Sequence, residues 1–273
     1  VSAIMRKLPE LKKRLAFRSL GDNFPTPIHR GECSYKGIKC KFHVKREDLC
    51  SRSRYGGNKV RTLQHQLGVV EARVQREGMK HLVVVGTGGS NQIVATTVHV
   101  NALKSKPSLS ASWIAKDPSN LDNSMNMLSS LSFSSLRSET STTWTHPIKI
   151  LRQIAGALYS RNTMILPMGG NNPAGVIGQV AACLEFAEQI ESGVCDDPPA
   201  IYLAVGSNCT ISGLLIGVAL ARRLNMKAFR NPRFRIHGVP IHHAIGIFFF
   251  NLKRIEFAHT HTHVHAQQHF NVM

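Results

Sequence analysis

Acidic residues are scarce in this chain: 16 Asp and Glu stand against 34 Lys and Arg in 273 residues, a formal charge of +18 with a pI of about 10.2. Such a charge suggests nucleic acid as a partner, because clustered Lys and Arg neutralise phosphates. Here the basic residues are scattered along the chain, and zinc-finger spacing, a basic zipper and an aromatic RNA-binding signature are all missing. The expectation is therefore no nucleic acid, with the charge serving to attract small anions. CxxC pairs are missing too: Cys33, Cys40, Cys50, Cys183, Cys195 and Cys209 stand apart, and no secretory signal precedes them. Reduced thiols in a cytoplasmic protein are expected. Nor is there an apolar run near bilayer length, since the strongest stops between Ile245 and Phe250, so no membrane partner is expected.

What is present suffices for a globular protein. Hydrophobic residues make up 42% of the chain, enough to fill a core in one large domain or two modest ones. Val1 to Arg18 carries Arg6, Lys7, Lys12, Lys13, Arg14 and Arg18 against Glu10 alone. That composition fits an organelle transit peptide, which would make the compartment mitochondrial, or a surface helix; the surface helix is preferred. Phe24-Pro25-Thr26-Pro27 cannot be helical through its prolines and is expected to be extended, and Lys39 to Val44 is expected as a strand.

The chain is organised around Tyr55 to Ala72. Gly56, Gly57, Asn58 and Lys59 stand directly before Val60, Leu63, Leu67, Val70 and Val74, an apolar series spaced by threes and fours that predicts an amphipathic helix. The glycines allow a sharp turn and Asn58 a cap, which leaves Lys59 at the helix mouth, as a solvated lysine or as one facing a ligand.

Three more glycine turns follow. A strand from His81 to Gly86 ends in Thr87-Gly88-Gly89-Ser90-Asn91-Gln92, with helix expected to about Lys104. A short strand from Thr163 to Pro167 ends in Met168 to Gly175, with a helix through Ile177, Val180, Ala181, Leu184 and Ala187. A strand from Ala200 to Val205 ends in Gly206-Ser207-Asn208-Cys209-Thr210, with a helix through Ile211, Leu214, Leu215, Val218 and Leu224. Strand, glycine turn, then helix is an anion site, because unpaired amides at the helix start point into the turn. Ser90 alone is equally an N-cap, and the glycines at 169 and 170 equally serve close packing, so they are assigned support rather than chemistry. Between these units Leu109 to Ala115 is expected as a strand, Ser129 to Thr145 as a flexible loop or insertion, and Ile150, Ile154, Ala157 and Leu158 as a helix; Arg233 to Val239 should be a last strand. The order implies an α/β protein with a largely parallel sheet.

Gly56-Gly57-Asn58-Lys59 followed by Val60, Arg61 and Leu63, with Val44-Lys45-Arg46-Glu47-Asp48 ahead of it, resembles the pyridoxal-phosphate enzymes related to D-cysteine desulfhydrase and 1-aminocyclopropane-1-carboxylate deaminase. The resemblance implies fold type II, two α/β domains with pyridoxal 5'-phosphate between them. The large domain would be residues 1–60 and 163–273, divergent or incomplete after about 239, and the small one 61–162. It implies that Lys59 carries the cofactor as a Schiff base, with Arg61 a neighbouring charge that would favour the neutral amine. Ser90, Asn91 and Gln92 would meet the substrate, with Ser90 catalytic beside Lys59 and Asn91 also on the cofactor ring. Asn58, Gly206, Ser207, Asn208, Cys209 and Thr210 would hold the cofactor, the last five through its phosphate.

Departures accompany the resemblance. Asn208 and Cys209 replace glycines of the family's phosphate loop, and Cys tolerates a positive φ poorly; Thr62 stands where many relatives have a phosphate-holding lysine. The resemblance covers about Phe24 to Gly238. Beyond it come Phe248-Phe249-Phe250 and His259, His261, His263, His265 and His269, in place of the relatives' further segment. A metal on those histidines is not expected, because no acidic or Cys partner accompanies them. The implied activity is a lyase on a small amino acid, D-cysteine first and aminocyclopropanecarboxylate second, with a homodimer as the assembly. A catalytically inactive relative is the reading from a different class.

Overall fold

The computed structural model describes residues 2–51, 57–87, 89–114, 121–133, 136–141, 155–156, 160 and 162–241. Tyr55, Gly56, Gly88, the helix expected through Ile150 and Leu158, the Phe248 cluster and the histidine tail all lie outside these residues, except for 155–156 within that helix. The chain divides into two compact units, Val1–Gly178 and Gln179–Met273.

The first unit starts with a short helix α1 (Ala3–Lys7), whose Ala3, Ile4 and Met5 are buried, and a 3-10 turn at Pro9–Lys13. The sequence suggested one surface helix to Arg18. Instead residues 14–18 lie along the central helix. Arg18 N donates to Gln64 O at 2.8 Å, and a Cβ on Gly68 would stand 2.5 Å from Phe17 N. An antiparallel hairpin follows, β1 (Ile28–Tyr35) and β2 (Ile38–Lys45), turned by Lys36 and Gly37, both at positive φ. The proline-rich lead-in before it is non-helical, with a bend at Pro25 and a cis Phe24–Pro25 bond, and β1 is a strand not anticipated from the sequence.

Helix α2 (Lys59–Glu77) ends at Gly78, which takes the left-handed conformation that a C-terminal cap favours. It feeds a parallel sheet in the order β5-β4-β3-β6, made of β3 (His81–Thr87), β4 (Ser108–Ile114), β5 (Leu136–Ser141) and β6 (Thr163–Leu166). Helices α3 (Asn91–Asn101) and α4 (Leu121–Leu131) connect its first three strands. Leu63, Leu67 and Val70 of α2 pack with Leu82, Val84, Ile93, Leu109 and Leu166 in one core. The loop expected over Ser129 to Thr145 is thus corrected in part, since its start closes α4 and residues 136–141 form β5. The serines there satisfy the helix rather than oppose it: Ser129 Oγ donates to Met125 O at 2.8 Å and Ser130 Oγ to Asn126 O at 3.0 Å.

The second unit pairs β7 (Ala200–Val205) with β8 (Arg235–Pro240) in parallel, with α6 (Cys209–Arg223) between them in sequence. Helix α5 (Pro173–Glu191) contributes Val180, Cys183, Leu184 and Ala187 to its buried residues. Gly213 and Gly217 let α6 approach α5 closely, because a Cβ on either would come within 2.2 or 2.4 Å of Gln179 or Cys183. Phe229 packs against Phe186 and Phe234, and the Asp197 carboxylate accepts from its amide at 2.7 Å. Among the described residues no helix is long and apolar enough to cross a membrane.

Candidate active site

Lys59 is the first residue of α2 and is half-buried; its Nζ donates to the carbonyl of Gly169 at 3.2 Å. The helix does not begin as the sequence suggested, because Asn58 lies in the right-handed helical region and its side chain makes no capping hydrogen bond. The turn that receives Lys59, Met168–Gly170, holds Gly169 at φ 64 and Gly170 at φ 73. Gln66 Nε2 donates to Gly170 O and to Asn172 Oδ1, each at 2.9 Å, and Asn172 Oδ1 also accepts from Gly175 N at 2.8 Å. The glycine turn read as packing support therefore also presents the acceptor for the key lysine.

The seam between α2 and the start of α5 has no room for side chains at three positions. A Cβ on Gly170 would stand 2.7 Å from Thr62 Cγ2, one on Gly175 would stand 2.1 Å from Gly170 O, and one on Gly178 would stand 2.1 Å from Arg61 O. Thr62 is fully buried in this seam. The first half of α2 is buried on every side, Arg61, Thr62, Gln64, His65 and Gln66 included, which is more than an amphipathic helix would bury. The lack of any charge between Arg61 and Glu71 is the signal that could have shown it.

Arg61 is not a spare charge beside Lys59. Its Nε and Nη2 donate to Glu47 Oε2 and Oε1, each at 2.9 Å, and Nη2 reaches Thr26 Oγ1 at 3.2 Å while the guanidinium lies over Phe24. Burial pushes the Glu47 carboxyl up. The hydrogen bonds and charge of Arg61, with Thr26 and Lys45, outweigh it and hold Glu47 below the usual glutamate range. The ion pair ties the end of the hairpin to the first turn of α2, and so positions Lys59.

On the sheet, β3 runs into the turn that carries Ser90 and Asn91. Ser90 stands at the N-cap of α3 with no side-chain capping bond, and Asn91 is exposed as the first helical residue. Gln92 turns the other way: it is buried, with Nε2 3.3 Å from Thr96 Oγ1 and 3.5 Å from Gln66 Oε1. Among the described residues its Oε1 has no hydrogen-bond partner, and a Cβ on Gly170 would stand 3.1 Å from it. From α4, Asn126 Nδ2 donates to Asn91 Oδ1 at 2.9 Å and to Gly89 O at 3.1 Å. Gln66 and Asn126 are the residues of this region that the motifs did not single out. Lys59, Gln66 and Gln92 converge on the Met168–Asn172 segment, while Asn91 is exposed and Ser90 is half-buried with its side chain close to Gly86.

The loop from Gly206 to Thr210 belongs to the second unit. Asn208 takes the left-handed conformation, φ 66, and Cys209 is already the buried first residue of α6. The positive φ therefore falls on Asn208, which tolerates it, and the strain expected at Cys209 does not arise. Ser207 and Thr210 are partly exposed at the start of that helix.

No protein-family model matches the chain. Over 209 residues it is 29% identical to a Pyrococcus furiosus protein provisionally named 1-aminocyclopropane-1-carboxylate deaminase, covering 72% of this chain and 57% of that protein. It is 27% identical over 202 residues to the D-cysteine desulfhydrase of Klebsiella pneumoniae, covering 71% and 58%. The chain is a sequence relative of these deaminase and desulfhydrase proteins. It spans less than two thirds of the length of either one. The crystal structure of a homologue of the deaminase superposes with a TM-score of 0.60 at 23% identity, over 87% of this chain and 65% of that one. A hydrogen-sulfide-producing enzyme gives 0.54 at 14% identity, over 85% and 61%. The fold is that of the fold type II pyridoxal-phosphate enzymes, with parallel sheets in both units.

Proposed function

We propose that this chain acts as a pyridoxal-phosphate-dependent lyase on a small amino acid, with D-cysteine as substrate and pyruvate, ammonia and sulfide as products. The observation that carries the reading is Lys59, half-buried at the start of α2 with its amine donating to the carbonyl of Gly169, on a turn that Gln66 also holds. The relatives' names supply the reaction class.

In this reading Lys59 holds the cofactor through its amine, Asn58 and Asn91 line it, and Gly206, Ser207, Asn208, Cys209 and Thr210 take its phosphate. Amides at the start of α6, with the hydroxyls of Ser207 and Thr210, are suited to a phosphate. When bound, pyridoxal phosphate supplies an electron sink for the carbon adjoining the amine. Lys59 Nζ takes the α proton of the substrate, Ser90 and Asn91 orient its carboxylate, and Gln92 secures the turn from its inner side. Loss of the thiol from the β carbon and addition of one water account for the three products. Residues 61–162 serve as the small domain and residues 1–60 with 163–273 as the large one, working as a homodimer.

Two measurements test this: visible absorption during titration with pyridoxal phosphate, and sulfide release from D-cysteine. A Lys59→Ala variant and aminocyclopropanecarboxylate serve as controls. The expected result is a band that needs Lys59 and sulfide that needs both Lys59 and the D isomer. Ketobutyrate from the cyclopropane substrate would make the deaminase the correct reading. A Lys59-dependent band with no product from either substrate would leave a cofactor-binding inactive relative.

A further inference from the structure

Asn126 lies outside every motif of the sequence, yet it reaches the turn that the proposed function assigns to the substrate. Its one amide nitrogen spends both hydrogens there, on Asn91 Oδ1 at 2.9 Å and Gly89 O at 3.1 Å. An asparagine side chain has an accepting end and a donating end of nearly equal shape, so its orientation is set by what it is bonded to. With Oδ1 of Asn91 receiving a hydrogen from Asn126, the end that remains for a ligand is Nδ2, a donor. Asn91 is exposed and opens α3, where backbone N–H groups also favour negative charge. The carbonyl of Gly89 is fixed by the same amide, and Gly89 holds a φ of 77 that makes the turn into α3.

We propose that Asn126 is a positioning residue that fixes the polarity of the Asn91 amide, so that it offers N–H to an anionic oxygen of the ligand. That oxygen belongs to the cofactor ring or to the substrate carboxylate. The inference rests on the proposed function and adds to it a residue on α4, whose side chain needs no contact with the ligand. Asparagine suits this place because aspartate, of the same shape, would accept from Asn91 instead of donating to it. The Asn91 amide would then turn over and present its oxygen, an acceptor facing an anion.

The test is a cycle of Asn126→Asp, Asn91→Ala and the double variant, on the full chain. Two probes separate the two sources of the oxygen. Titration with pyridoxal phosphate alone, followed by absorbance, reads the ring. The shift of that band with D-alanine, which has the carboxylate and amine but no leaving group, reads the substrate. The expected result is that Asn126→Asp weakens at least one probe by about 10- to 150-fold, the range of a hydrogen bond to a charged group. In the Asn91→Ala background the same substitution should cost at most a few-fold, from the lost bond to Gly89 O alone, because the larger effect of Asn126 acts through Asn91. A simple repulsion by the new carboxylate, or a structural fault, would persist in that background. Persistence of the full loss there, or no loss in the parent, would overturn the proposal. Absence of any Lys59-dependent band in the unmodified chain would instead remove the cofactor reading, and this inference with it.

Discussion

Removing Arg61 should cost far more than its single residue suggests, because the guanidinium is nearly enclosed and serves two elements at once. Its side chain is 5% exposed and that of Glu47 25%, with both nitrogen–oxygen contacts at 2.9 Å. Breaking a buried pair by deleting one partner costs about 3–5 kcal/mol, since the remaining charge stays behind without compensation. Partial water access to Glu47 and the Lys45 ammonium at 3.9 Å place the Arg61→Ala cost near the lower end, about 3 kcal/mol, to which the lost contact with Phe24 adds about 0.5–1 kcal/mol. Urea unfolding followed by circular dichroism measures it, as a more than hundredfold change in the unfolding equilibrium. Replacing both partners with apolar residues, Arg61→Met and Glu47→Leu, should recover more than half the loss. Because the folded Glu47 pKa is lowered, the pair's contribution is present above the unfolded glutamate pKa of about 4.3 and is lost as pH falls through the folded value. A cost under about 1 kcal/mol, the value of an exposed pair, would refute the claim that this contact holds α2 to the hairpin.

Other outcomes can be checked alongside. Gly170→Ala adds a Cβ 2.7 Å from Thr62 Cγ2 at a φ of 73, and should destabilise by about 2–4 kcal/mol in the same assay; an unchanged midpoint would contradict the close seam. Burial pushes the imidazoles of His65 and His99 below the usual range, with the Ala16 carbonyl opposing it at His65. Neutral rings are therefore favoured by folding, so stability should be level above about pH 6.5 and fall as pH drops through the folded values. A His65→Gln, His99→Gln variant should show a flatter slope between pH 7 and 5, and an identical slope would count against the buried placement. A thiol reagent should modify exposed Cys33 and Cys40 in the folded protein and leave Cys183, whose thiol burial pushes up, until unfolding. Equal rates at all three would refute this.

The parallel units were legible because each was announced twice, by a run of Val, Leu and Ile and then by a glycine turn before an apolar helix. His81 to Gly86 and Ala200 to Val205 are such runs, and both became strands within a residue of their expected ends. What was hidden depended on partners distant in sequence. β5 carries Arg137, Ser138 and Glu139, with no strand signal of its own, and it exists because β4 offers it a parallel edge. Arg61 read as a charge near Lys59, whereas Glu47 and Thr26, fourteen and thirty-five residues away, claim it. Asn126 is an uncharged polar residue within a helix, and nothing local distinguishes it from a solvent-facing one, whereas the burial of Gln66 leaves only the charge-free run from Thr62 to Val70 as its sign. The glycines at 169 and 170 were recognised as a turn, but the carbonyl that a turn turns toward a lysine leaves no trace in composition.

The absent side chains at Gly170, Gly175 and Gly178 also bear on how such a protein can change over generations. At each of these places the smallest possible addition, one carbon, meets a neighbour's backbone or a buried methyl. No single replacement is a small step there, so drift is blocked without any ligand being involved. Gly37 and Gly193, with open space around them, need only a residue that accepts a left-handed backbone, and asparagine is within reach. Lineages that share as little as 27% identity with this chain can therefore be expected to differ freely along the hairpin while retaining the bare seam under Lys59. The lysine's surroundings would then outlast its substrate, and one seam could carry different specificities in turn.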